Sequence, residues 1–209
     1  MSKEIFIIGG GESLKDFDTS KLDNKDVMVV NNGILLFPNA KYFVTMDYVF
    51  KKKTDKMIWK KFTGTKFFIV NLVPSWMEEK EGQIVDTRFN LVYDLKSFDV
   101  IIKSKERGGF GRNWNEFRTG RNSGYAGIQL SLLLGYQTIN LLGFDLQAKA
   151  QTHFHGYYNK NVEQYNQVLA GYYEFFKKGI RDLQDNWDVE IYSCSKESRL
   201  NKFLTYKEI

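Results

Sequence analysis

Glu4-Ile5-Phe6-Ile7-Ile8-Gly9-Gly10-Gly11 is the stretch on which the fold turns. Its first five residues are mostly β-branched or aromatic and read as a short strand buried on both faces. Three glycines then end it. Strands of this kind belong to parallel sheets covered by helices on either side. Working outward, the same pattern recurs. Residues 26–30 read as a strand ending in Asn31-Asn32-Gly33, and 41–46 as one ending at Asp47. Residues 65–70 lead to Asn71, 138–142 lead to Gly143-Phe144-Asp145, and 189–192 form a sixth strand.

Helical periodicity fills the gaps between strands. Residues 55–62 predict a short helix. Residues 123–134 predict a second, capped by Asn122 or Ser123, striped by Tyr125, Ile128 and Leu132, and closed by Gly135. Residues 162–180 predict the clearest one, with Val162, Tyr165, Leu169, Tyr172, Phe176 and Ile180 recurring every three or four positions. The alternation predicts a single-domain, Rossmann-like α/β fold over residues 1–209. Its sheet is mostly parallel, helices lie on both faces, and the segment around 75–121 reads as an irregular insertion or a short hairpin. Ligands in such folds bind outside the carboxyl ends of the strands, where this chain repeatedly places Gly, Asn or Asp.

Composition narrows the class. A chain of 209 residues with 43% hydrophobic residues can bury a real core, and its two prolines leave little room for disordered linkers. The formal charge of +5 permits an acidic ligand. Six Lys or Arg against two Glu between Lys103 and Arg121 put part of that excess beside glycines. No basic motif establishes nucleic-acid binding. Cys194 is the sole cysteine, so no internal disulfide forms. With no signal-like apolar stretch and no run long enough for a membrane span, the expected location is cytoplasmic. Aromatics at 157–173 offer a surface for self-association.

Three motifs carry chemistry. Gly9-Gly10-Gly11-Glu12-Ser13 lets backbone amides approach a phosphate, with the Ser13 hydroxyl as a further donor. It is neither the G-x-G-x-x-G fingerprint nor a P-loop, and a plain strand-to-helix turn also accounts for it. Gly120-Arg121-Asn122-Ser123-Gly124 opens a helix, where free amides and Arg121 favour an anion, although simple capping accounts for it equally. Thr152-His153-Phe154-His155-Gly156-Tyr157 holds both histidines of the chain, and a neutral imidazole can take a proton from an acceptor hydroxyl. Asp47 and Asp145 end strands and could meet a ribose or a metal, but their spacing defines no metal site.

Together these segments resemble the bacterial lipooligosaccharide sialyltransferases. Residues 7–15 are similar to that family's opening Gly-Asn-Gly-Pro-Ser-Leu-Lys stretch, and Val30-Asn31 to its second strand and nucleotide-contacting Asn. Asn122-Ser123-Gly124, residues 134–139 and Gly143-Phe144-Asp145 resemble its Thr-Ser-Gly helix, Leu-Gly-Tyr strand and Gly-Ile-Asp end. His153-Phe154-His155-Gly156 resembles its His-Tyr-x-Gly-His. The likeness spans nearly the whole chain except about 47–117. The same scaffold recurs in phage-encoded proteins of unassigned role and in archaeal 6-hydroxymethylpterin diphosphokinase-like proteins.

The resemblance implies transfer of a sugar from a CMP-activated donor, without metal or other cofactor, to an acceptor the sequence does not identify. Gly10, Ser13, Asn31, Asn122, Ser123 and Gly124 would then hold the nucleotide, and the turns and strand ends read above add Gly9, Gly11, Asp47, Arg121 and Asp145 as candidates. Aligned strictly, Tyr157 takes the place of the family's catalytic histidine, His153 matches its first histidine, and His155 lies one residue inside. Gly10 replaces an Asn, Gln147 replaces a Tyr, and the seven residues 146–152 replace a much longer lid. Catalysis is therefore expected from His155, His153 or Tyr157. Two other readings remain. One is a diphosphokinase-like enzyme with Mg²⁺ on Asp47 or Asp145, and the other is a nucleotide-binding module without chemistry.

Overall fold

The computed structural model describes residues 3–47, 50, 56–70, 77–80, 83–86, 91–104, 108–156 and 161–209. Its strands, in chain order, are β1 (Glu4–Ile8), β2 (Val27–Val30), β3 (Tyr42–Thr45), β4 (Thr65–Val70), β5 (Met77–Lys80), β6 (Gln83–Asp86), β7 (Leu91–Asp94), β8 (Val100–Lys103), β9 (Thr138–Leu142), β10 (Glu190–Ser193) and β11 (Thr205–Tyr206). The helices are α1 (Lys56–Lys61), α2 (Ser123–Leu133) and α3 (Val162–Asn186).

Eight strands form one sheet in the order β11-β10-β9-β1-β2-β3-β4-β8, and every pairing in it is parallel. The chain runs outward from β1 through β2, β3 and β4, then returns to lay β9 on the other side of β1. The reversal at β1/β9 is the switch point where such sheets open a crevice. Burial explains the apolar runs: β2 and β9 have every residue buried.

Alternate side chains feed two cores. Ile5, Ile7, Met28, Val44, Ile139 and Leu141 pack with α2 and α3 on one face. Phe6, Ile8, Val29 and Phe43 pack with Leu14, Leu22, Trp59 and Phe62 on the other. Phe43 meets Phe50, Trp59 and Phe62 with ring centroids 5.0, 5.2 and 6.1 Å away. Each such aromatic pair adds about 0.5–1.5 kcal/mol beyond the area it buries.

Three readings are corrected and one is made specific. First, β8 and β11 extend the sheet beyond the six expected strands. Second, of the two readings of 75–121, its first part takes the hairpin form, with β5, β6 and β7 paired as a separate antiparallel sheet. Ile84 of β6 packs in a small cluster with Phe68 and Val70 of β4. Third, α2 is buried all round rather than along a stripe. Gln129 spends its amide on both backbone groups of Gly111 (2.6 and 3.0 Å), and Ser131 donates to the Gly127 carbonyl (2.9 Å). Fourth, α3 runs on to Asn186, because Leu183 continues its apolar face and no breaker intervenes.

Candidate active site

The carboxyl ends of β1, β2, β3 and β9 open into a cleft of about 920 Å³. Gly9, Gly10 and Gly11 form its floor, with Asn31 and Asn32 after β2 and Met46 and Asp47 after β3. The start of α2 supplies Arg121, Asn122, Ser123 and Gly124. The first turns of α3 supply Tyr165, Val168 and Tyr172, and the loop between β9 and α3 brings both histidines. One wall is thus polar and the other largely aromatic and aliphatic.

The glycine turn is shaped by its partners. The Gly9 amide donates to the Leu142 carbonyl and the Gly11 amide to that of Gly143, both at 2.8 Å. A Cβ on Gly11 would stand 2.5 Å from Asp145 Cγ, which is why a side chain is excluded there. The Ser13 amide and hydroxyl both donate to the Asp145 carboxylate, at 2.9 and 2.6 Å. Ser195 Oγ lies 3.0 Å from Ser13 Oγ and accepts the Gly143 amide (2.9 Å). Asp145 is only 7% exposed. Burial raises its pKa above the usual carboxylate value, partly offset by the hydrogen bonds from Ser13 and Ser195.

Next to it, β2 and β3 are tied at their ends. The Thr45 hydroxyl donates to Asn31 Oδ1 (2.6 Å) and accepts the Asp47 amide (3.0 Å). The Met46 amide donates to Ser123 Oγ (3.1 Å), joining β3 to the start of α2. Asn31 (φ +50°), Arg121 (φ +59°) and Leu146 (φ +50°) all occupy the left-handed region, and all three line the cleft. Among the described residues only one other non-glycine residue, Asn24, does so. Asn tolerates this backbone, but Arg and Leu do so at a cost of order 1 kcal/mol or more, and such strain concentrates at functional sites.

The histidines stack on each other, with ring centroids 5.0 Å apart and planes 27° apart. The His153 ring lies against the glycine turn, its Cδ2 3.1 Å from where a Cβ on Gly10 would stand. Its Nδ1 is 3.0 Å from Thr152 Oγ1 and its Nε2 3.1 Å from the Tyr165 hydroxyl. Asn32 Nδ2 donates to His155 Nε2 (3.1 Å). Burial pushes the His155 pKa down to about 4, so this imidazole is neutral at pH 7.

The fold therefore gathers Gly9, Gly10, Gly11, Asn31, Asp47, Arg121, Asn122, Ser123, Gly124, Asp145, His153 and His155 around one cleft. One expectation changes: Ser13 turns its hydroxyl down to Asp145 and lines a neighbouring cavity of about 460 Å³ instead. At the start of α2 the capping reading holds, since Asn122 Oδ1 accepts the amides of Gly124 (2.8 Å) and Tyr125 (3.2 Å). Tyr157 lies outside the described residues. Sequence reasoning missed Asn32, Thr45 and Tyr165. In the sequence Tyr165 reads only as part of a helical stripe, although a phenol there instead of Leu or Ile is a usable signal.

By sequence, the chain matches no family model and no curated protein. Its backbone does match solved structures. The fold resembles that of the sialyltransferase CstII. Against CstII in complex with a trisaccharide acceptor and CMP, the TM-score is 0.56 at 17% identity, covering 98% of this chain and 86% of that one. Against CstII from Campylobacter jejuni in complex with the substrate analogue cytidine-5'-monophosphate, it is 0.58 at 16% identity, covering 98% and 84%. The MAf glycosyltransferase from Magnetospirillum magneticum AMB-1 gives 0.52 at 12% identity, with 95% of this chain matched to 32% of that one. Identities this low establish a shared fold. No helix among the described residues is long and apolar enough to cross a membrane.

Proposed function

We propose that this chain is a glycosyltransferase that moves a sugar from a CMP-activated donor to a hydroxyl acceptor, without a metal ion. The observation that carries the reading is the convergence at the switch point. A glycine turn able to approach a phosphate, Asn31, the strained Arg121 and a stacked histidine pair all face one cleft. In this reading the nucleotide lies over Gly9–Gly11, with Asn31 and the Asn122–Ser123 turn at its sides. Arg121 offsets the phosphate charge, and the histidine pair receives the acceptor's proton. The likeness to CstII, solved with CMP, supports the same placement.

A Mg²⁺-dependent diphosphokinase fits less well. Both carboxylate oxygens of Asp145 are engaged by Ser13.

Thermal unfolding against CMP, CTP and ATP, each with and without Mg²⁺, tests the reading. A ligand at one hundred times its dissociation constant adds about 2.7 kcal/mol. Stabilisation by CMP that ignores Mg²⁺ is expected. Stabilisation only by ATP with Mg²⁺ would overturn it.

A further inference from the structure

We propose that Tyr165 is a catalytic residue: its hydroxyl takes the acceptor's proton while handing its own to His153. This rests on the transferase reading above and assigns the route its proton follows.

His153 is linked at Nε2 to a hydroxyl that lines the cleft, that of Tyr165. Its Nδ1 faces Thr152 Oγ1, a residue 6% exposed, at 3.0 Å. With the Nδ1 proton donated to Thr152, Nε2 presents its lone pair to the Tyr165 hydroxyl. His155 instead spends Nε2 on the Asn32 amide. Tyr165 is well fixed for the task. It sits in the first turn of α3, where its amide donates to the Asn161 carbonyl (3.0 Å), and Asn161 Oδ1 accepts the Gln164 amide (3.0 Å). Its ring packs on His153 with centroids 5.0 Å apart.

The step balances. The acceptor oxygen forms a bond to the donor's anomeric carbon, and the bond from that carbon to the phosphate oxygen breaks, CMP leaving with the electron pair. The acceptor's proton passes to Tyr165 Oη, the phenolic proton passes to His153 Nε2, and the resulting imidazolium keeps its Nδ1 proton on Thr152. Because the His153 ring lies against Gly10, that new positive charge appears beside the turn that holds the departing phosphate.

The test uses the whole chain with CMP-N-acetylneuraminic acid and CMP-3-deoxy-octulosonic acid as donors and water as acceptor, reading released CMP. Tyr165→Phe keeps the ring and is expected to lower kcat by about 10²–10³-fold, with donor KM and CMP-induced stabilisation unchanged. His153→Gln is expected to lower kcat similarly and to abolish the acid limb of the wild-type pH profile, which a purely structural role would not move. The double variant should be little worse than either single one. If Tyr165→Phe fails to fold, the His153→Gln pH profile decides. Wild-type turnover with Tyr165→Phe within about threefold of it, or an unchanged acid limb in His153→Gln, would overturn the relay alone. No CMP release from either donor, together with no stabilisation by CMP, would overturn the transferase reading and the relay with it.

Discussion

The turn at residues 9–13 and the turn at 152–156 meet over Gly10, and they are anchored by different means. The first is pinned from below. Its amides reach the backbone of β9 and its exit at 2.8 Å, and Ser13 places two hydrogen bonds on a buried carboxylate. The second has longer backbone bonds, from the Phe154 amide to the Gly10 carbonyl (3.3 Å) and from the Gly156 amide to the His153 carbonyl (3.4 Å). Among the described residues, side chains from elsewhere also hold it, Tyr165 on His153 and Asn32 on His155. A turn fixed by backbone and buried charge is scaffold, so its defects should register as lost stability. A turn fixed through titratable rings should register its defects in pH behaviour and turnover.

Asp145→Ala is the strongest way to break the comparison. It strands the Ser13 amide and hydroxyl, empties a buried site and removes the side-chain tie between the end of the glycine turn and the exit of β9. The expected cost is about 3 kcal/mol, a fall in melting temperature of roughly 6–12 °C for a chain of this size. Calorimetry of the two proteins measures it. A loss below about 1 kcal/mol would mean the glycine turn is not held from Asp145.

The sequence exposed these two turns unequally. β1 and β9 could be read because each is a short apolar run closed by glycine, and the residues that stop such strands are the ones the cleft uses. β8 has one exposed isoleucine among four residues, and β11 is two residues long, so neither had a pattern to detect. Within the site, Gly9, Asn31 and Asn122 were legible because turn chemistry marks them. The direction of the Ser13 hydroxyl was not, since it depends on Asp145, 132 positions away. Nor was the Tyr165–His153 contact, which forms only when the histidine loop folds back across the first turn of α3.

Acid should act on the histidine turn with a smaller effect. The folded pKa of His155 is about 4 against 6.5 for an ordinary histidine, so above pH 6.5 both folded and unfolded states are neutral there. As pH falls from 6.5 toward 4 the unfolded chain binds a proton that the folded one refuses, and stability drops across that window, levelling off below 4. Because His155 is half-buried, the drop is discounted to about 1–2 kcal/mol. His155→Gln should flatten that part of the stability profile between pH 6.5 and 4.5, measured by denaturant midpoints. An unchanged slope would show that this ring is as freely protonated folded as unfolded.

The subtlest test asks whether the two turns are separate at all. Glu12, at the end of the glycine turn, accepts the amides of Lys149 and Ala150 on one carboxylate oxygen, both at 3.2 Å, and so braces the segment that leads into the histidines. Glu12→Ala removes that brace and is expected to cost about 1 kcal/mol. The histidine turn keeps its ties to Gly10, Tyr165 and Asn32, so the His155 ring-proton titration followed by NMR should stay near 4. Stability losses of Glu12→Ala and His155→Gln should then add within about 0.5 kcal/mol. A His155 titration moved toward 6.5 in Glu12→Ala, or a coupling well above that, would make the two turns one cooperative unit. Loss of stability and loss of proton control would then be the same event.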